Sequence, residues 1–100
     1  MSASGLAFIA QLETVVRERL ANPGDDSYTA TLAAAGRKRI AQKVGEEGVE
    51  LALAGVTGEN DEIINEAADL VYHLIVLLAH NELSMADVAR TLEERHAART

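Results

Sequence analysis

Ile63-Ile-Asn-Glu-Ala-Ala-Asp-Leu-Val-Tyr-His-Leu-Ile-Val-Leu-Leu-Ala79 is the stretch that decides the fold. Its large apolar residues, among them Ile63, Ile64, Leu70, Val71, Leu74, Leu77 and Leu78, fall on most sides of a helix. A helix of that kind is expected to be buried on most sides. Glu62, Glu66, Asp69 and His73 interrupt it at spacings of four, three and four, which sets them in one narrow polar stripe. A solvated face would explain such a stripe poorly. The row is wholly acidic over two turns, and no Lys or Arg stands at i+4 to neutralise it.

Outward from this segment the chain reads as helices joined by short breaks. The fourth helix is expected from about Asp61 to His80, with acids in its first turn where the helix dipole favours them. Thr57-Gly-Glu-Asn60 separates it from a third helix that starts near Arg37 and runs to about Val56. On the other side, Ser84 caps a last helix, with Asp87 at the third helical position in a variant of the capping box. The first helix spans roughly Ser4 to Leu20, where Leu6, Ile9, Leu12, Val16 and Leu20 form one stripe. Asn22-Pro-Gly-Asp-Asp-Ser27 is a turn around Pro23, and Asp26 or Ser27 caps a short helix through Ala35 that Gly36 ends. The alternation that marks a strand is missing from the sequence. The expected fold is all-α: one domain over residues 1–100, a four-helix-type bundle with a short extra helix.

Composition sets limits on the function. One hundred residues leave no room for a second core, and a domain of this size buries only about 65% of its extended-chain surface. A partner subunit would therefore help. With no cysteine there is no thiolate zinc site, disulfide or cysteine nucleophile, which suits the cytoplasm. The N-terminus does not read as a signal peptide, and the longest apolar run, Leu74 to Ala79, is far too short to span a bilayer. A net charge of −7 argues against nucleic acid as a partner.

The charges are clustered, and the clusters carry the chemistry. Eight of the sixteen acids lie between Glu46 and Asp69, so like charges must crowd along two neighbouring helices. Glu46, Glu47 and Glu50 share one turn of the third helix. Two carboxylates about 4 Å apart repel by roughly 4 kcal/mol at an effective dielectric near 20. A fold tolerates that when they point into water or when a cation sits between them. Gly45 and Gly48 flank the cluster at a helix-propensity cost of roughly 1 kcal/mol each, explained either by tight helix packing or by room for a ligand. Carboxylates on two helices can converge on one site in a bundle, and oxygen ligands without cysteine favour Mg²⁺ or Mn²⁺ over zinc. His73 is a ligand or general base on one reading and a hydrogen-bonded core histidine on the other, the core role being the commoner. Arg37, Lys38, Arg39 and Lys43 lie just before the acids, and Arg39 and Lys43 share their stripe. Such a line could hold phosphates directly on one side and through Mg²⁺ on the other, or could merely pair with nearby acids.

Gln42-Lys-Val-Gly-Glu-Glu-Gly-Val-Glu50 followed by Glu66-Ala-Ala-Asp-Leu-Val-Tyr-His73 closely resembles the phosphoribosyl-ATP pyrophosphatases of histidine biosynthesis. Ser27-Tyr-Thr-Ala-Thr-Leu32 matches that family's approach to the motif, and the resemblance covers about Leu6 to Leu92. An acidic pair with a third Glu three residues on, then Glu-x-x-Asp, is shared more widely by all-α nucleotide pyrophosphatases such as the dimeric dUTPases. The resemblance implies Mg²⁺-dependent hydrolysis of phosphoribosyl-ATP to phosphoribosyl-AMP and pyrophosphate by a homodimer of helical subunits. It implies Glu46, Glu47, Glu50, Glu66 and Asp69 as catalytic metal ligands. Arg37, Lys38, Arg39 and Lys43 become candidates for the substrate's phosphates, on charge more than on motif. Some relatives are fused to a cyclohydrolase domain, and a cysteine-free chain of this length is expected to be the stand-alone form.

Two other functions fit the same residues. A house-cleaning nucleoside triphosphate pyrophosphatase would use the same metal site on a different base. A non-enzymatic helical dimerisation module would carry its acids only as a solvated face.

Overall fold

The computed structural model describes residues 4–22 and 27–99. They form α1 (Ala7–Ala21), α2 (Tyr28–Ala35), α3 (Arg37–Thr57), α4 (Asn60–His80) and α5 (Met85–Arg99), with no strand among the described residues. The turn at Pro23, and Asp26 as an alternative cap, lie outside them. Each observed boundary has a local cause. Ser27 Oγ accepts the Ala30 N–H at 3.1 Å and starts α2. Gly36, at φ +98°, both ends α2 and precedes α3, a backbone conformation that a side chain would strain. Gly58, in the left-handed region at φ +81°, ends α3, and the two-residue break Gly58–Glu59 folds α4 back along it. The expected capping box at α5 is present. Ser84 N–H donates to Asp87 Oδ2 at 2.9 Å, and Asp87 N–H donates to Ser84 Oγ at 3.2 Å. The Ser84 backbone N–H and hydroxyl together hold the Asp87 carboxyl below its ordinary value.

Val16, Leu32, Ile40, Ile75 and Val76 form the core, so it lies between α1, α2, the start of α3 and the second half of α4. The expectation that α4 is buried on most sides fails within one chain. Only His73, Ile75, Val76 and Leu78 of this helix are buried, while Ile64 is 67% exposed. The four other helices, 8 to 21 residues long, do not supply enough surface to wrap it. Its first half instead borders an apolar groove of about 550 Å³ lined by Leu6, Phe8, Leu12, Ala68 and Val71 among others. Asn60–His80, with an 18-residue window of mean hydropathy 1.4, is also long and apolar enough to cross a membrane. The short Leu74–Ala79 run therefore understated the helix. Its second half packs in the core, but only 22% of that window is buried within the chain.

One tie was not foreseen. Glu13, buried on α1, accepts the Met85 N–H at the start of α5 at 2.7 Å, while Arg17 sits 3.7 Å from the same carboxylate. A side chain 72 residues away thus supplies a second cap to α5. Glu13→Ala leaves that N–H without its charged acceptor and is expected to cost about 1.5–3 kcal/mol. Urea unfolding would measure this, and a loss under 0.5 kcal/mol would mean that water replaces the carboxylate.

Candidate active site

The α3–α4 hairpin brings the acids together by register. Glu47 and Asp69 each lie about three helical turns from the Gly58–Glu59 break, so the returning helix sets them side by side. Carboxylate oxygens of Glu47, Glu66 and Asp69 lie within 4.8 Å of one another. Glu47 is buried, Glu66 half-buried and Asp69 exposed, so the cluster opens to solvent on one side. Glu47 Oε2 and Glu66 Oε2 are buried with no hydrogen-bond partner among the described residues. Buried carboxylate oxygens without partners are costly, and a cation would satisfy both.

Glu50 stands beside the group, three residues after Glu47 on α3. Its carboxyl is held above the ordinary glutamate value, first by a hydrogen bond with Glu66 and then by the charge on Glu47. That is the expected behaviour of acids competing for one small volume. Glu47 shifts the other way: the hydrogen bond from Lys43 holds its carboxyl below the ordinary value. Lys43 is correspondingly raised, first by the same hydrogen bond, with Nζ 3.1 Å from Glu47 Oε1.

The other residues marked in the sequence divide. Glu46 points along the surface of α3, where Gln42 Nε2 donates to it at 3.0 Å and Arg39 and Lys43 each stand 3.8 Å away. Arg37 and Lys38 are exposed on the first turn of α3, and Glu62 is exposed on α4. An open hollow of about 740 Å³ follows the outer face of α3, lined by Gln42, Gly45, Glu46, Val49 and Glu50. A Cβ added to Gly45 or Gly48 would meet nothing within 4 Å, so packing within the chain does not require either glycine.

His73 takes the core role. Its Nδ1–H donates to the Asp69 carbonyl at 2.7 Å, and its Nε2 lies 2.7 Å from the Tyr28 hydroxyl. A carbonyl only accepts, so Nδ1 carries a proton, and Nε2 shares a hydrogen bond with the Tyr28 hydroxyl. Tyr72 closes the aromatic group, bonded to Thr29 and edge-on to His73 at 5.4 Å between ring centres. Tyr28 was missed from sequence as a neighbour of the site. It stands 45 residues from its partner, and nothing local announces the pairing.

An all-helical fold with two facing helices and a half-open carboxylate cluster defines a candidate site for a hard divalent cation. The phosphoribosyl-ATP pyrophosphohydrolase family model matches residues 9–96, and the chain belongs to that family. It is 55% identical over 91 residues to the histidine biosynthesis bifunctional protein HisIE of Photobacterium profundum. The HisIE proteins of Vibrio cholerae and Campylobacter jejuni are 54% and 55% identical over 93 and 91 residues. These matches cover 91–93% of this chain and 44% of each relative, so the chain spans less than half the length of the relatives it matches.

Proposed function

We propose that this chain hydrolyses phosphoribosyl-ATP to phosphoribosyl-AMP and pyrophosphate, the second step of histidine biosynthesis, using Mg²⁺ held by Glu47, Glu50, Glu66 and Asp69. The observation that carries the proposal is the pair of buried, unpartnered oxygens on Glu47 and Glu66 inside the acidic cluster of a chain of this family. The donor set fits the ion: oxygens only, from two helices, open on one side for substrate. When bound, Mg²⁺ supplies charge neutralisation of the polyphosphate and a water of lowered pKa. The chain's residues do the rest. A carboxylate of the cluster not engaged by the ion takes the water's proton. Arg37, Lys38 and Arg39, exposed at the start of the same helix, attract and orient the phosphates. Glu46 holds Arg39 and Gln42 in place beside the hollow.

Residues 1–100 act as one domain, on a small-molecule nucleotide, in the cytoplasm, with neither nucleic acid nor membrane as partner. The working unit is a homodimer in which the α3–α4 hairpins of two chains complete a four-helix arrangement. Support comes from the hollow along α3, which has a single helix for its wall, and from the uncovered apolar residues of α3 and α4.

Pyrophosphate release from phosphoribosyl-ATP, dUTP, dCTP and ATP tests the reading, each with Mg²⁺, with Ca²⁺ and in excess EDTA. Turnover is expected with phosphoribosyl-ATP and Mg²⁺, poorly with Ca²⁺, and not in EDTA. Equal turnover of dUTP or dCTP would move the chain to the house-cleaning enzymes, and undiminished release in EDTA would end the metal mechanism.

A further inference from the structure

Lys43 does not sit like a residue waiting for a phosphate. Its side chain is four-fifths buried, its Nζ is 3.1 Å from Glu47 Oε1, and the Glu47 side chain is only 7% exposed. Lysine is seldom buried to this degree without a fixed partner. The two oxygens of Glu47 have separate surroundings: Oε1 meets Lys43, and Oε2 is buried without a partner. An ammonium locked on one oxygen fixes the carboxylate's rotation and leaves the other oxygen to a ligand. Lys43 reaches Glu47 from one turn back along α3, while Glu66 and Asp69 approach from α4.

We infer that Lys43 is a positioning residue for the metal site: it holds Glu47 by Oε1 so that Oε2 is presented to the cation together with Glu66 and Asp69. The inference rests on the metal-site reading of the acidic cluster. Outer-shell partners of this kind change metal affinity by about tenfold or more when removed. A phosphate-gripping lysine behaves differently. Removing it would leave the metal affinity unchanged, or tighten it by removing a like charge, and would raise KM for the substrate.

Isothermal titration of Mg²⁺ into substrate-free protein separates these roles, with kcat and KM for phosphoribosyl-ATP measured across Mg²⁺ concentrations. Lys43→Met is expected to weaken Mg²⁺ binding about tenfold and to regain most of its turnover at high Mg²⁺, with KM near that of the unaltered chain. Lys43→Arg, which keeps a donor on Glu47, is expected to restore binding to within about threefold. An unchanged or tighter Mg²⁺ Kd in Lys43→Met, with a raised KM, would overturn the inference and return Lys43 to the phosphates. No saturable Mg²⁺ binding by the unaltered chain would instead remove the metal site itself. Should Lys43→Met fail to fold, the unaltered chain still decides, because it has only two lysines, Lys38 and Lys43. With ¹³C-labelled lysine, the Lys43 ε-methylene signal is expected to stay restrained on adding Mg²⁺ and inorganic pyrophosphate. A shift of the Lys43 signal that appears only when pyrophosphate is added would overturn the inference.

Discussion

In excess EDTA, Asp69→Asn and Glu50→Gln are expected to unfold at the same temperature as the unaltered chain or above it, and in saturating Mg²⁺ well below it. The carboxylates of Glu47, Glu66 and Asp69 crowd within 4.8 Å, and the neighbouring Glu66 and Glu47 carboxyls hold Glu50 above its ordinary value. Without a cation they repel, so removing one charge relieves the metal-free fold. With a cation the same change removes a ligand. An ion that binds only the native state stabilises it by about 2.7 kcal/mol at a hundred times its Kd, and most of that shift should disappear. Turnover should fall by orders of magnitude, because an ion out of place stabilises neither the attacking water nor the departing pyrophosphate. A structural role has the opposite signature: neutralising a carboxylate that is hydrogen-bonded for stability weakens the fold with or without Mg²⁺. Thermal unfolding of both variants in EDTA and in Mg²⁺, beside pyrophosphate release, distinguishes the two. Loss of metal-free stability with an unchanged Mg²⁺ shift would refute the assignment.

The helices were legible because their ends are written in local chemistry. Ser27, Gly36, Gly58 and the Ser84–Asp87 pair act within three or four residues of themselves, and the observed boundaries fall within a few residues of the expected ones. The site was legible as composition, not as geometry. Glu46 and Glu47 are adjacent in sequence, yet a residue's step around the helix turns one along the surface and the other toward α4. Only the register of the α3–α4 hairpin decides between them, and that register is set by Gly58 and by core packing far from the acids. Glu13 shows the converse. It falls four residues after Ile9 and three before Val16, on the apolar stripe of α1, so its burial could have been read. Its partner, the Met85 backbone, could not, because a backbone N–H has no identity in the sequence.

The reading of α4 as buried on most sides joins with the exposure seen in one chain to give the second large effect. Val49, Leu53 and Val56 are 61%, 62% and 84% exposed and recur at four and three residues, one continuous stripe down α3. Large side chains gathered on one face mark an association surface more often than chance exposure does. If two hairpins pack through this stripe, Leu53→Glu replaces a buried leucine, worth about 1.5–3 kcal/mol, with a carboxylate whose burial costs several kcal/mol more. A symmetric interface suffers the change twice. Leu53→Glu is therefore expected to convert a dimer into a monomer, or into an unfolded chain, at micromolar concentration. On a free monomer the same substitution touches only solvent and shifts stability by less than about 0.5 kcal/mol. Sedimentation velocity with circular dichroism reads both outcomes. A folded monomer before the substitution, or an unchanged dimer after it, would exclude the stripe from any interface. Loss of the dimer together with loss of turnover would tie the site to the partner chain, because the hollow along α3 shares Val49 with the stripe.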